Sequence, residues 1–145
     1  MDDAATAVLG EDWTLPGLTD LNREWFTAAA LRVQRCSSCG NQQHPPEEIC
    51  HACGGLAFGF TTLAPTGTVH SYTIAHYAVN RALAAYVPYA VVLVALDDAP
   101  NIRVIGNLLE VPSGEVRIGM AVNAIWQDHT NTDGDLVRVP QWVPA

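Results

Sequence analysis

The chain contains no lysine. Its seven basic side chains are all arginine, set against fifteen carboxylates, and the net charge is −8 over 145 residues. Nucleic-acid binders normally display a basic field, so this balance argues against nucleic acid as a partner. No apolar run reaches the ~18 residues of a membrane-spanning helix. The start, Met1-Asp2-Asp3-Ala4-Ala5, lacks the basic residues and apolar run of a secretory leader. No nucleophile elbow, phosphate-binding loop or dinucleotide fingerprint occurs. Cysteine is absent outside residues 36–53. That clustering argues against a disulfide framework and for a reducing, cytoplasmic setting.

What is present is concentrated in one stretch. Cys36-Ser37-Ser38-Cys39-Gly40 is followed by Cys50-His51-Ala52-Cys53-Gly54, giving two C-x-x-C-G units. A glycine after the second cysteine allows a left-handed turn that aims backbone amides at sulfur. Two such knuckles facing each other make a tetrahedral four-thiolate site suited to structural zinc, and iron in the same cage uses the same ligands. A redox C-x-x-C explains one pair but not two. The expected ligands are Cys36, Cys39, Cys50 and Cys53, which close the shell and leave no open position to activate water. His44 and His51 read as exposed histidines of the knuckle loops. A ribbon this short has too little core of its own, and structural zinc contributes on the order of 10–16 kcal/mol in small peptides. Chelation is therefore expected to unfold the ribbon and leave the rest folded.

Three parts are expected in chain order: an arm and helix over residues 1–30, a zinc ribbon over 31–64, and a β-barrel over 65–145. The arm carries Asp2, Asp3, Glu11, Asp12 and Trp13, with Pro16-Gly17 as a breaker. Leu18 to Ala30 reads as a helix, capped by Thr19 or Asp20, with Leu21, Trp25 and Ala29 in one apolar stripe. Leu31 to Arg35 and Ala57 to Leu63 should be the strands entering and leaving the knuckles, with residues 44–48 an extended loop between them.

Beyond the turn at Ala64-Pro65 the chain is nearly all β. Thr68 to Tyr77 is expected to place Thr68, His70, Tyr72, Ile74 and His76 on one face. Tyr89 to Asp97 reads as a strand covered on both sides. Ile102 to Leu109 follows, with Gly106-Asn107 marking a bulge or bend. Ser113 is a possible cap for one helical turn. Strands over 120–129 and 136–143 complete the set, with Asp133-Gly134 as their hairpin turn and Pro140 marking an edge or closing strand. Five strands with a helical connection between the third and fourth fit an OB-fold. An immunoglobulin-like sandwich needs about seven.

No catalytic set emerges. His70 and His76 are about 20 Å apart along a strand, too far to share acid–base work. Asp97-Asp98 reads as a solvated strand end. The constellation His76, Tyr77, Arg81, Tyr86 and Tyr89 flanks the 78–87 connection, and tyrosine with arginine favours interfaces and ligand mouths.

These parts together resemble the family of zinc-ribbon plus OB-fold proteins associated with acyl-CoA metabolism. The resemblance spans roughly residues 18–145. It rests on Trp25-Phe26, the run Leu31 to Cys36, the knuckles with Pro45-Pro46, Gly67-Thr68-Val69-His70-Ser71-Tyr72-Thr73, Val87-Pro88-Tyr89, Gly106-Asn107 and Arg117-Ile118-Gly119-Met120. It implies a non-catalytic subunit of a hetero-oligomer with a thiolase-like partner, which supplies the acid–base residues. It also implies an acyl-CoA held near the shared interface. The reaction would be aldol or retro-aldol cleavage of a β-hydroxyacyl-CoA, with steroid side chains as possible substrates. The alternatives are an acyltransferase complex, or a single-stranded nucleic-acid module in which Tyr72, Tyr77 and Tyr89 stack bases.

Overall fold

A computed structural model describes residues 15–145. The acidic arm with Trp13 lies outside the described residues. The helix expected over 18–30 is confined to α1 (Arg23–Thr27). It starts later and stops earlier than the apolar stripe suggests. Thr19 and Asn22 bond each other's backbones reciprocally, at 2.7 Å (Thr19 amide to Asn22 Oδ1) and 3.2 Å (Asn22 amide to Thr19 Oγ1). This reciprocal exchange is that of a capping box, and the Thr19 carbonyl accepts from the Arg23 amide at 3.0 Å. Regular helix starts only after Asn22, and Thr19, one of the two expected caps, holds the turn that leads into it. At the other end Ala29 sits at φ 51°, a left-handed conformation that breaks the helical run. Trp25 is buried, whereas Leu21 remains at the surface.

The ribbon is a three-stranded antiparallel sheet in the order β2-β1-β3, from β1 (Leu31–Cys36), β2 (Gln42–Gln43) and β3 (Phe58–Leu63). Strands β1 and β3 pair from Leu31↔Leu63 to Cys36↔Phe58. Strand β2 was not expected. Two buried glutamines organise it. The Gln34 amide donates to the Glu47 carbonyl (2.7 Å), and its Oε1 accepts from Gln43 Nε2 (2.8 Å) and the Glu47 amide (2.9 Å). Gln43 Oε1 accepts from the His51 amide at 3.0 Å. The inter-knuckle loop thus has its polar groups satisfied by side chains rather than by a ladder. At the sheet's base, Leu31, Val33 and Leu63 join Trp25 and the barrel's apolar residues in one core.

The remaining strands are β4 (Thr66–Ala75), β5 (Tyr89–Leu96), β6 (Arg103–Leu108), β7 (Ala121–Thr130) and β8 (Leu136–Pro144). They close a barrel in the order β4-β5-β6-β8-β7, with a 3-10 turn at Ser113–Glu115 between β6 and β7. This is the five-stranded OB arrangement expected from the sequence. Pro112, not Ser113, sits at the N-cap of that turn.

Three details depart from expectation. A bulge between Val69 and Ser71 shifts the register of β4, so the even-numbered face is not continuous. Val69 is buried before the bulge and Ile74 packs on the core after it, while His70 and Tyr72 are exposed. Strand β5 is not covered equally on both sides. It alternates strictly, with Ala90, Val92, Val94 and Leu96 buried and Tyr89, Val91, Leu93 and Ala95 half-buried. Gly106-Asn107 is not a bulge, since the β5–β6 register runs through it unbroken. Gly106 is instead a close approach: a Cβ there would lie 2.9 Å from Cδ1 of the fully buried Trp142.

Candidate functional site

The knuckles form where β1 ends and β3 begins. Gly40 at φ 78° and Gly54 at φ 77° turn the chain after each second cysteine, as the C-x-x-C-G spacing requires. The Gly40 amide bonds the Cys36 carbonyl and the Gly54 amide the Cys50 carbonyl, both at 2.9 Å. These paired turns bring all four sulfurs within 4.8 Å of one another. Cys36 and Cys50 are buried, and Cys39 and Cys53 face outward.

The sulfur spacing fits one small tetrahedral ion. Cys36–Cys53 and Cys39–Cys50 are each 3.6 Å apart. Four thiolates at a Zn–S distance of about 2.3 Å stand about 3.8 Å from each other, far beyond the ~2.05 Å of a disulfide. Backbone amides also point at the sulfurs: Ala52 to Cys50 at 3.4 Å and Gly55 to Cys53 at 3.3 Å. The Cys39 amide holds the Cys36 thiol below its ordinary value. The Cys53 amide brings Cys50 down to about 6. At Cys53 the Gly55 amide lowers the pKa, but the crowding Cys39 and Cys36 sulfurs outweigh it and push the thiol up to about 12. The donor set is the one zinc prefers, and every ligand position is supplied by protein.

His44 is not the exposed loop histidine expected. Its ring stacks on Trp25 with centroids 4.1 Å apart, and its Nδ1 is buried without a partner. Burial lowers its pKa to about 4. His44 therefore joins the ribbon to the helix and lies outside the sulfur cluster. His51 is exposed, as expected.

The constellation at the 78–87 connection divides in two. Tyr86 and Tyr89 pack with Leu83 and Leu109 in a small satellite core. A 3-10 turn at Arg81–Leu83, held by the Ala82 amide on Asn80 Oδ1 at 2.9 Å, roots the loop there. His76, Tyr77 and Arg81 remain at the surface, with Tyr77 80% and Val79 84% exposed. Asp98 is more than a solvated strand end, because its Oδ2 accepts from the Ala64 amide at 2.9 Å and ties the ribbon–barrel link to β5.

Sequence reasoning missed a cleft of about 580 Å³ where helix, ribbon and barrel meet. Leu21, Trp25 and Phe26 line it from one side, Pro45 and Pro46 from the ribbon, and Ile105 from the barrel. No local pattern announces it, because its walls come from segments as far apart in the chain as Pro16 and Gln141. Among the described residues, no helix is long and apolar enough to cross a membrane.

Comparison with known proteins covers both halves. Residues 30–59 match the rubredoxin-like zinc ribbon domain of ChsH2, and residues 60–127 match the ChsH2 C-terminal OB-fold domain. Among solved structures, the chain is similar to one described as an Ltp2-ChsH2(DUF35) aldolase. The two are 32% identical over 90% of this chain and 98% of that chain, with a TM-score of 0.75. A protein of unknown function from the DUF35 family of Sulfolobus solfataricus is 18% identical over 84% of each chain, with a TM-score of 0.49. No curated protein matches.

Proposed function

This chain belongs to the ChsH2 family of zinc-ribbon and OB-fold proteins, and from that premise we propose that it is a non-catalytic, zinc-bearing subunit of an aldolase complex. The observation that carries this reading is the likeness to the Ltp2-ChsH2(DUF35) aldolase chain, which runs through ribbon and barrel alike and leaves almost none of that chain unmatched. A thiolase-like subunit is the partner in this reading, and it supplies the acid–base groups. Cys36, Cys39, Cys50 and Cys53 hold zinc as a staple, fixing the ribbon against the shared core. The helix, the ribbon (31–64) and the barrel (65–145) then act as one docking body in the cytoplasm.

The substrate in this reading is a β-hydroxyacyl-CoA, with a steroid side chain as a candidate acyl group, bound near the subunit interface. His76, Tyr77 and Arg81 are the exposed groups available to a partner or ligand there, and Tyr86 and Tyr89 hold their loop in place. The test is co-expression with the thiolase-like protein, followed by size-exclusion chromatography and an assay for carbon–carbon cleavage of a β-hydroxyacyl-CoA. Co-elution is expected, with cleavage depending on the complex. Separate elution with full activity of the partner alone overturns the reading. Acyl transfer without cleavage redirects it to an acyltransferase complex.

A further inference from the structure

The barrel is sealed unevenly. Strand β6 pairs with β5 over its whole length, from Arg103↔Ala95 to Leu108↔Ala90. On its other side it meets β8 at a single register position, Leu108↔Trp142. Bonds beside that position show which way the backbone points. The Leu109 amide donates to the Trp142 carbonyl at 2.8 Å, and the Asn107 amide donates to Gln141 Oε1 at 2.6 Å. Backbone groups on an antiparallel strand alternate sides, so the amides and carbonyls of Arg103 and Ile105 also face the β8 side. Among the described residues no β8 residue pairs with them.

This open edge lies along the cleft. Val104, Ile105, Gly106 and Asn107 line it together with Pro140 and Phe26; the Pro140 carbonyl closes on Gly106, where a Cβ would lie 3.2 Å from its oxygen, so the edge is open only beyond it, at Ile105 and at Arg103 just outside the lining. Proline has no amide to complete a ladder. Among the described residues that line the cleft none is charged, in a chain with fifteen carboxylates and seven arginines. Depletion of charge with retained aromatics is the compositional mark of an interface centre. Ile105 is 65% exposed there, although it sits mid-strand beside Leu93. The side-chain amides at the floor are already engaged: Gln141 Nε2 donates to Asn107 Oδ1 (3.2 Å) and Gln127 Oε1 (3.1 Å), and Asn107 Nδ2 donates to the Ala90 carbonyl (3.0 Å). Besides the buried Nδ1 of His44, what remains unmet is main chain and apolar surface, which together suit an added strand.

We propose that the open edge of β6 at Arg103 and Ile105 is a docking groove for an extended, uncharged segment of the partner subunit, which adds a strand to the barrel and seats apolar side chains against Phe26 and Ile105. This rests on the reading of the chain as a partner-bound subunit.

The test uses the full chain and the purified thiolase-like partner. Hydrogen–deuterium exchange should show the Arg103 and Ile105 amides exchanging rapidly in the free chain and at least about tenfold more slowly in the complex. Ile105→Pro removes the outward amide without touching the β5 ladder and should weaken partner binding about tenfold, while Ile105→Val should bind as wild type. If Ile105→Pro fails to fold by circular dichroism, the exchange result on the wild-type chain decides alone. A complex that forms with both amides still exchanging at the free rate overturns the groove and leaves the partnership standing. Failure of the wild-type chain to bind the partner at all overturns both. Amides already slow in the free chain, and released by deleting residues 1–14, assign the groove to the chain's own arm and overturn the proposal.

Discussion

Protonation of His44 should loosen the joint between ribbon and helix. The ring is stacked on Trp25 and its Nδ1 has no partner, so a charge on it would be buried and uncompensated. Its folded pKa is about 4, against an ordinary value of 6.5. The unfolded chain therefore binds the proton first, and stability falls as pH drops from 6.5 toward 4. Above pH 6.5 the contribution is complete. Linkage puts the loss at about 2 kcal/mol at pH 5 and about 3 kcal/mol at pH 4. The assay is urea denaturation of zinc-loaded protein at pH 7.5, 6, 5 and 4, comparing wild type with His44→Phe, which keeps an aromatic ring on Trp25. Protonation of the cysteine ligands weakens both proteins alike, so the difference between them isolates the histidine. Parallel pH profiles for the two proteins would refute the argument.

Metal removal should act on the knuckles and spare the base of the ribbon sheet, because Leu31, Val33 and Leu63 belong to the common core. Limited proteolysis after complete chelation should cut between Ser37 and Gly55, with the barrel strands still protected, and unchanged resistance would contradict this. Gly67→Ala should cost about 2–3 kcal/mol in urea denaturation. The new Cβ would lie 2.5 Å from both the Ala95 carbonyl oxygen and Val94 Cγ1. Gly59→Ala, where nothing lies within 4 Å, should be close to neutral, and equal effects at the two sites would show that the clash is not the cause.

The metal site was legible because its chemistry is local. Cysteines two residues apart, followed by glycine, dictate their own turn, and the observed φ values of Gly40 and Gly54 follow from that spacing. The barrel's five strands and the helical connection between the third and fourth were legible for a related reason: strand lengths, turn residues and alternation are short-range patterns. The helix was overestimated because an apolar stripe over 18–30 says nothing of where the backbone leaves helical φ, as it does at Ala29. The face of β4 was misassigned because one bulged residue inverts every side chain beyond it.

Composition, cysteine spacing and periodicity by themselves determined a four-thiolate ribbon joined to a five-stranded barrel, with a net charge of −8. Each of those properties depends on residues close together in the chain or on sums over it. Tertiary structure decided what contacts between distant segments decide: that ribbon and barrel share one core, that His44 is stacked on Trp25, and that β6 is left with an open edge beside an uncharged cleft. The physical reason is that burial and strand closure are set by which segments meet. A sequence states what each segment offers, and only the fold states what it touches.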